Sequence, residues 1–348
     1  MPRTLAPPPV TAPELRQSWE AHLGDHVIQL EWSPDGAMLA AALIGGPVSI
    51  FGTDGRFLRE LPGHSFGTLS ISWSADSRLL ASAGQDGCAR IWDAATGAPL
   101  HELKGGAQWV EHVAFSPVKD YLLTGAGRFL KMWNGSGRHL RDFPDHLSTI
   151  SGIAWQPREL FFATAAYGQL ANYHAEKSEF GKAFAWKGSI LVVAWSPDGN
   201  YLATGNQDAS VHFWYRKSGK DLEMTGYPAK IRELAWDAES RFLATGGSPV
   251  VTIWDCGGKG PAGTRPIQLE GHERFLSAMA YQHKGKLIAS GCQGGTVLVW
   301  NHRQPQRPLR GSQLGTAVTQ IRWAPNDRMF AASTEAGLVR VFEKSEKE

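Results

Sequence analysis

Apolar residues recur along this chain in short alternating runs, each ending on an aromatic residue, and the runs return at a nearly constant interval. Trp32, Trp73, Phe115, Trp155, Trp195, Trp236, Tyr281 and Trp323 close these runs at separations of 41, 42, 40, 40, 41, 45 and 42 residues. Apolar residues stand two and five positions before the aromatic, as in Val27/Leu30, Val110/Val113 and Ile190/Val193; the second run keeps Ile71 but has Thr68 at the other place. Alternation of this kind over a few residues marks a half-buried strand. A polar turn follows most runs, SPDG at Ser33 to Gly36 and at Ser196 to Gly199 among them, and Pro and Asp set such turns. A small-residue strand comes next, such as LLASAG or YLATGN, and then a β-branched strand ending in a second aromatic: Phe51, Trp92, Trp133, Tyr173, Trp214, Trp254, Trp300 and Phe342. No helical periodicity runs long enough to compete. The pattern predicts an all-β chain built from repeats of roughly 41 residues.

Tryptophan sharpens this reading. The chain has 14, and the two aromatic series absorb 11 of them. With GH at Gly63-His64 and Gly271-His272 and WD at Trp92-Asp93 and Trp254-Asp255, the repeat resembles the WD-repeat family over about residues 17 to 342. That resemblance implies a single closed β-propeller of four-stranded blades around a central channel. Both series count to eight, so eight blades are expected, with seven as the alternative. One blade cannot bury both of its faces, whereas a ring buries all of them and leaves only short edges. The last unit stops at Phe342 after its third strand, so the segment Gln17 to Ala21 is expected to complete the last blade. The resemblance further implies a buried chain of Asp, His, Ser or Thr and Trp; the second unit matches it with His64, Ser82, Asp86 and Trp92. The fifth unit keeps Thr204, Asp208 and Trp214 without the histidine, and the seventh keeps His272, Ser290 and Trp300 without the aspartate.

Composition narrows the function classes. The 35 basic and 33 acidic side chains nearly cancel, which gives no reason to expect nucleic acid or an anionic membrane as partner. The three cysteines have no CxxC spacing, so a reducing, cytoplasmic setting is the simpler expectation. No apolar run reaches the roughly 18 residues of a membrane helix. Residues 1–16, rich in proline, read as a flexible arm, 17–342 as the propeller and 343–348 as a charged tail. Two segments leave the repeat: His174 to Trp186, and the glycine-rich Cys256 to Arg265 that accounts for the 45-residue spacing.

The twelve histidines show no HxH or HExxH arrangement, and His64, His146 and His272 stand where the family places a structural histidine, so no metal site is expected. Neither GxGxxG after a strand nor a phosphate-binding GxxxxGKS or GxxxxGKT is present, and no catalytic residue, cofactor or enzyme activity is expected. What remains is the rim. In the family, the loops entering the first strand and joining the second to the third lie on one face and receive partners. On that rim the sequence places Trp109, Glu111, Tyr167, Gln207, Lys230, Arg232 and Phe275. Trp109 is a tryptophan that neither series explains, and Trp, Tyr and Arg dominate binding energy at interfaces. The bland reading has Trp109 packed against its neighbouring loop. The expected role is therefore a non-catalytic, by itself monomeric scaffold for a protein or peptide. The alternative is a ligand- or metal-binding propeller using the channel, where His112 and Glu233 stand three residues before their aromatics; some bacterial single-propeller WD-repeat proteins that resemble this chain are associated with metal handling. An aromatic cage for methylated lysine would need Trp109, Tyr167 and Phe275 to converge from three different units.

Overall fold

The computed structural model describes residues 12–177, 183–258 and 260–344. Among them the chain is all strands and turns, and each repeat runs back and forth as an antiparallel meander. The first unit is typical: Val27–Trp32, Met38–Leu43, Val48–Gly52 and Phe57–Leu61 pair in order. The first strands of consecutive units lie against one another, and so do those of the first and last units. This is the arrangement of a propeller.

Hydrogen bonding groups the strands into seven sheets, six of four strands and one of six, which corrects the expected eight blades toward the alternative of seven. The fourth and fifth units share the six-stranded sheet. Its segment Phe161–His174 is continuous across a hairpin, because Tyr167 at the bend pairs with Ser189 on the way into the next unit. The segment doubles back on itself: the Ala175 N–H donates to Leu160 O (2.8 Å), and the Phe162 and Tyr173 rings stack at 5.2 Å. Ala183–Trp195 likewise runs from the outer edge of the fourth unit into the first strand of the fifth.

The core lies between units. Buried apolar residues form clusters shared by two neighbours, such as Ala40, Val48, Ile50 and Leu61 of the first unit with Ile71, Trp73 and Leu80 of the second. The aromatics that close the first strands also stitch neighbours together through their ring N–H groups. Trp73 donates to Glu31 O (3.2 Å), Trp155 to Ala114 O (2.9 Å), Trp195 to Ala154 O (3.0 Å) and Trp323 to Ala280 O (3.1 Å). Trp32 donates to Arg322 O (3.1 Å), from the first unit to the last. A desolvated indole N–H needs such a partner, which explains why tryptophan recurs at this position. The polar turns add a second stitch on the opposite face: Ser77 Oγ accepts from Asp35 N–H (3.0 Å), and Ser240 Oγ accepts from Asp198 N–H (2.9 Å).

The N-terminal strand Arg16–His22 pairs antiparallel with Leu338–Glu343 and forms the outer edge of the last sheet. The expected arm is shorter than residues 1–16. Glu14 bridges Gly311 in parallel, Leu15 N–H donates to Gly311 O (2.9 Å), Gly311 N–H donates to Pro13 O (2.9 Å), and Leu15 is buried. The chain therefore grips the seventh unit before it pairs with the eighth. At the other end Glu343 is still paired strand, so the charged tail begins later than expected; residues 1–11 and 345–348 lie outside the described residues, as do parts of the two irregular segments.

Candidate functional site

The buried polar chain of the second unit forms as the sequence implied. His64 Nδ1 lies 2.9 Å from Asp86 Oδ1, its Nε2 lies 2.8 Å from Ser82 Oγ, and the Trp92 ring N–H donates to the same Oγ at 2.8 Å. Burial pulls the His64 imidazole below its ordinary pKa, and Asp86 opposes that pull. Burial alone would raise the Asp86 carboxyl, but hydrogen bonds from Arg90 and His64 hold it low. By distance this is a Ser–His–Asp relay, yet Ser82 is 0% exposed and its oxygen is already occupied by Trp92, so no substrate reaches it. A Cβ at Gly84 would lie 2.2 Å from His64 Cγ, so the strand must end in glycine for the histidine to fit. The seventh unit repeats His272 to Ser290 (2.7 Å) and Trp300 to Ser290 (2.9 Å) without a carboxylate. In the sixth, Trp254 donates to Tyr227 Oη (2.7 Å), which meets Thr245 Oγ1 (2.8 Å); the tyrosine takes the histidine's part, and the sequence reading missed it.

Antiparallel pairing puts the loops entering each first strand and the bends between second and third strands on one face. Backbone bonds tie them together, for example Gln207 N–H to Ser189 O (2.9 Å) and Gln293 N–H to Phe275 O (2.9 Å). Trp109 is 48% exposed, Tyr167 59% and Phe275 38%, so all three rings stand out from this face. Gln207, Lys230 and Arg232 are exposed as well. Glu111 is half-buried, and its carboxylate accepts the Gly127 N–H at 2.9 Å. Trp109, Tyr167 and Phe275 make no ring contact with one another, so the cage arrangement does not form.

The same face carries apolar side chains outside the sequence-derived set. Phe66 is 84% exposed, Leu147 77% and Ile44 45%. The rim residues read from the sequence include none of these three, and none from the second unit. The signal was a lone phenylalanine in the loop HSFG.

His112 and Glu233 do not assemble a metal site. His112 Nε2 sits 3.1 Å from Ile150 O, and burial lowers the imidazole's pKa while it raises that of Glu233. Among the described residues no group of three or more His, Cys, Asp or Glu could hold a metal ion. The three cysteines are free and buried, and among the described residues no helix is long and apolar enough to cross a membrane.

Comparison with known proteins agrees with this geometry. Residues 55–93, 97–134, 182–215 and 263–301 match the family model described as WD domain, G-beta repeat. Protein hir-1 of Neurospora crassa is 24% identical over 93% of this chain and 35% of its own length. Actin-interacting protein 1 of Drosophila melanogaster is 21% identical over 78% of this chain and 46% of its own. The B-type cell cycle switch protein ccs52B of Medicago truncatula is 28% identical over 45% of this chain and 34% of its own. The chain thus spans less than half the length of these relatives, all of them eukaryotic; the expected bacterial type finds no counterpart among them. A crystal structure of the computationally designed Ika8 protein superposes with a TM-score of 0.81 at 20% identity, covering 94% of this chain and all of that one, which supports the fold alone. Together the matches support a WD-repeat β-propeller family.

Proposed function

We propose that this chain is a non-catalytic, cytoplasmic scaffold that binds a protein or peptide on one face of a closed propeller ring. The observation that carries the reading is the set of large rings held out on that face, Trp109, Tyr167 and Phe275. Trp109, Glu111, Tyr167, Gln207, Lys230, Arg232 and Phe275 are the proposed contacts. Rigid aromatics of this kind make effective binding anchors because little side-chain entropy is lost on docking. The printed name of one relative, Actin-interacting protein 1, is in keeping with a protein partner. Closure of the ring draws support from the Trp32 bond to Arg322 and from the buried cluster that joins Val27, Leu30 and Trp32 to Ala331, Val339 and Val341. Three free cysteines agree with a reducing compartment. The metal-handling alternative has no geometric support at His112 and Glu233.

The test is Trp109→Ala. Truncating a central aromatic anchor costs about 2 kcal/mol or more of binding, so the variant should melt like the parent and fail to recover its partners from cell extract. Normal melting with full recovery would remove this rim from consideration; a much lower melting temperature would make Trp109 a packing residue.

A further inference from the structure

We propose that the partner seats an uncharged, apolar segment on the arc formed by Ile44, Phe66, Trp109 and Leu147, so that the binding centre lies over the first four units and the contacts at Lys230, Arg232 and Phe275 are peripheral to it. The inference rests on the rim reading above and names the chemistry of its occupant. These four side chains stand on loops of successive units, one per unit, all exposed on the same face. The loops touch: a Cβ at Gly67 would lie 2.5 Å from Ile44 O, and one at Gly87 would lie 3.2 Å from Ala107 O and 3.3 Å from Gln108 O.

The charged side chains on these loops are already engaged by the protein itself. Asp25 accepts the His26 N–H (2.7 Å) and the Gly45 N–H (2.9 Å). Asp86 is held by Arg90 (2.7 Å), Glu111 by Gly127 N–H (2.9 Å), and Arg128 pairs with Asp145 (3.2 Å). What the arc offers a partner is apolar surface among Gly, Ser, Ala and Gln, and the complement to that surface is apolar. The opposite sector differs: Lys230, Arg232 and Arg274 are exposed, but Glu270 and Glu273 are exposed as well, so it offers no surface of one sign.

Backbone strain points the same way. Phe66 has φ of +70°, a left-handed conformation that a bulky residue adopts at a cost and that Asn, Asp or Gly adopts readily. A strained residue holding an aromatic ring 84% exposed gains the fold nothing, and strain that persists without a packing gain is found at ligand-contacting positions.

The experiment selects a random peptide library on the immobilised full chain and measures the enriched peptides by fluorescence anisotropy. The peptides should be rich in Leu, Ile, Phe and Trp without bias in charge, and their Kd should change less than about threefold between 50 mM and 1 M salt, since only charge-driven contacts are screened. Phe66→Asn should melt at or above the parent temperature, because Asn relieves the left-handed strain, while weakening binding at least tenfold; Val118→Ser, on the exposed turn of the opposite face, should leave binding unchanged. Charged peptides with steep salt dependence, or no enrichment, would overturn the inference. Binding kept by Phe66→Asn but lost in Lys230→Glu or Phe275→Asp would overturn it and leave the rim reading standing. Binding kept by all of these and by Trp109→Ala would overturn both.

Discussion

Trp19→Ala probes how the N-terminal strand is held to the rest of the fold. Trp19 is 8% exposed, its ring lies 5.5 Å from that of Phe51, and its N–H donates to Thr53 O at 3.0 Å, so it joins the outer edge of the last sheet to the first unit. A Cβ at Gly55 would lie 2.6 Å from Trp19 Cγ, which shows how closely the indole is enclosed. Truncating a buried Trp to Ala costs about 3 to 5 kcal/mol, and more where the walls cannot relax. With an unfolding entropy of about 2 cal/mol/K per residue, this predicts a melting temperature lower by roughly 4 to 7 °C for a chain of this size. The control is Leu100→Ala, a residue 43% exposed on an outer strand, where a change below about 0.5 kcal/mol is expected. Removing residues 1–22 should go further, because it strips the pairing from Leu338–Glu343 and exposes that edge to aggregation. Scanning calorimetry on the three proteins decides the matter. If Trp19→Ala melts within a degree of the parent, the strand does not hold the ends together and the reasoning fails.

Two further outcomes follow from the buried polar chains. Asp86→Ala leaves His64 Nδ1 without its carboxylate acceptor and removes one partner of the Arg90 guanidinium, so urea unfolding should show a loss of about 1 to 3 kcal/mol; an unchanged midpoint would refute this. His272 has no carboxylate beside it, and burial lowers its pKa to about 4, below the ordinary value of 6.5. Because the unfolded chain takes up the proton first, stability is fully present above pH 6.5 and declines as pH falls toward 4, by roughly 3 kcal/mol at most. His272→Gln, which cannot titrate, should show a flatter profile across that window, and parallel profiles would contradict the assignment.

The repeat was legible because its chemistry is strictly local. The indoles of Trp32, Trp73, Trp155, Trp195 and Trp323 find acceptors across the unit boundary, and that chemistry writes Trp at a nearly fixed spacing, although Phe115 and Tyr281 stand at two of the places and the Trp236 ring N–H has no partner. His64, Ser82, Asp86 and Trp92 could be named for the same reason. The joining of the fourth and fifth units was not legible, since it depends on Tyr167 meeting Ser189, a pairing between loops that no periodicity encodes. Tyr227 escaped notice because a hydroxyl can replace an imidazole as acceptor without preserving the sequence signature. Leu15 lies in a proline-rich stretch whose composition suggests an arm, yet tertiary contact with Gly311 outweighs it. On the rim, periodicity found Trp109 and Phe275 but passed over Phe66, whose outward direction is set by a left-handed backbone angle.

Hydrogen–deuterium exchange on the full chain, with and without its recovered partner, tests the central claim most directly. Partner binding should slow exchange in the loops around Phe66, Trp109 and Leu147 and leave the opposite-face turn at Ser116 to Lys119, with its exposed Val118, unchanged. Protection confined to that turn, or spread over the outer strands with none at the three loops, would contradict the account.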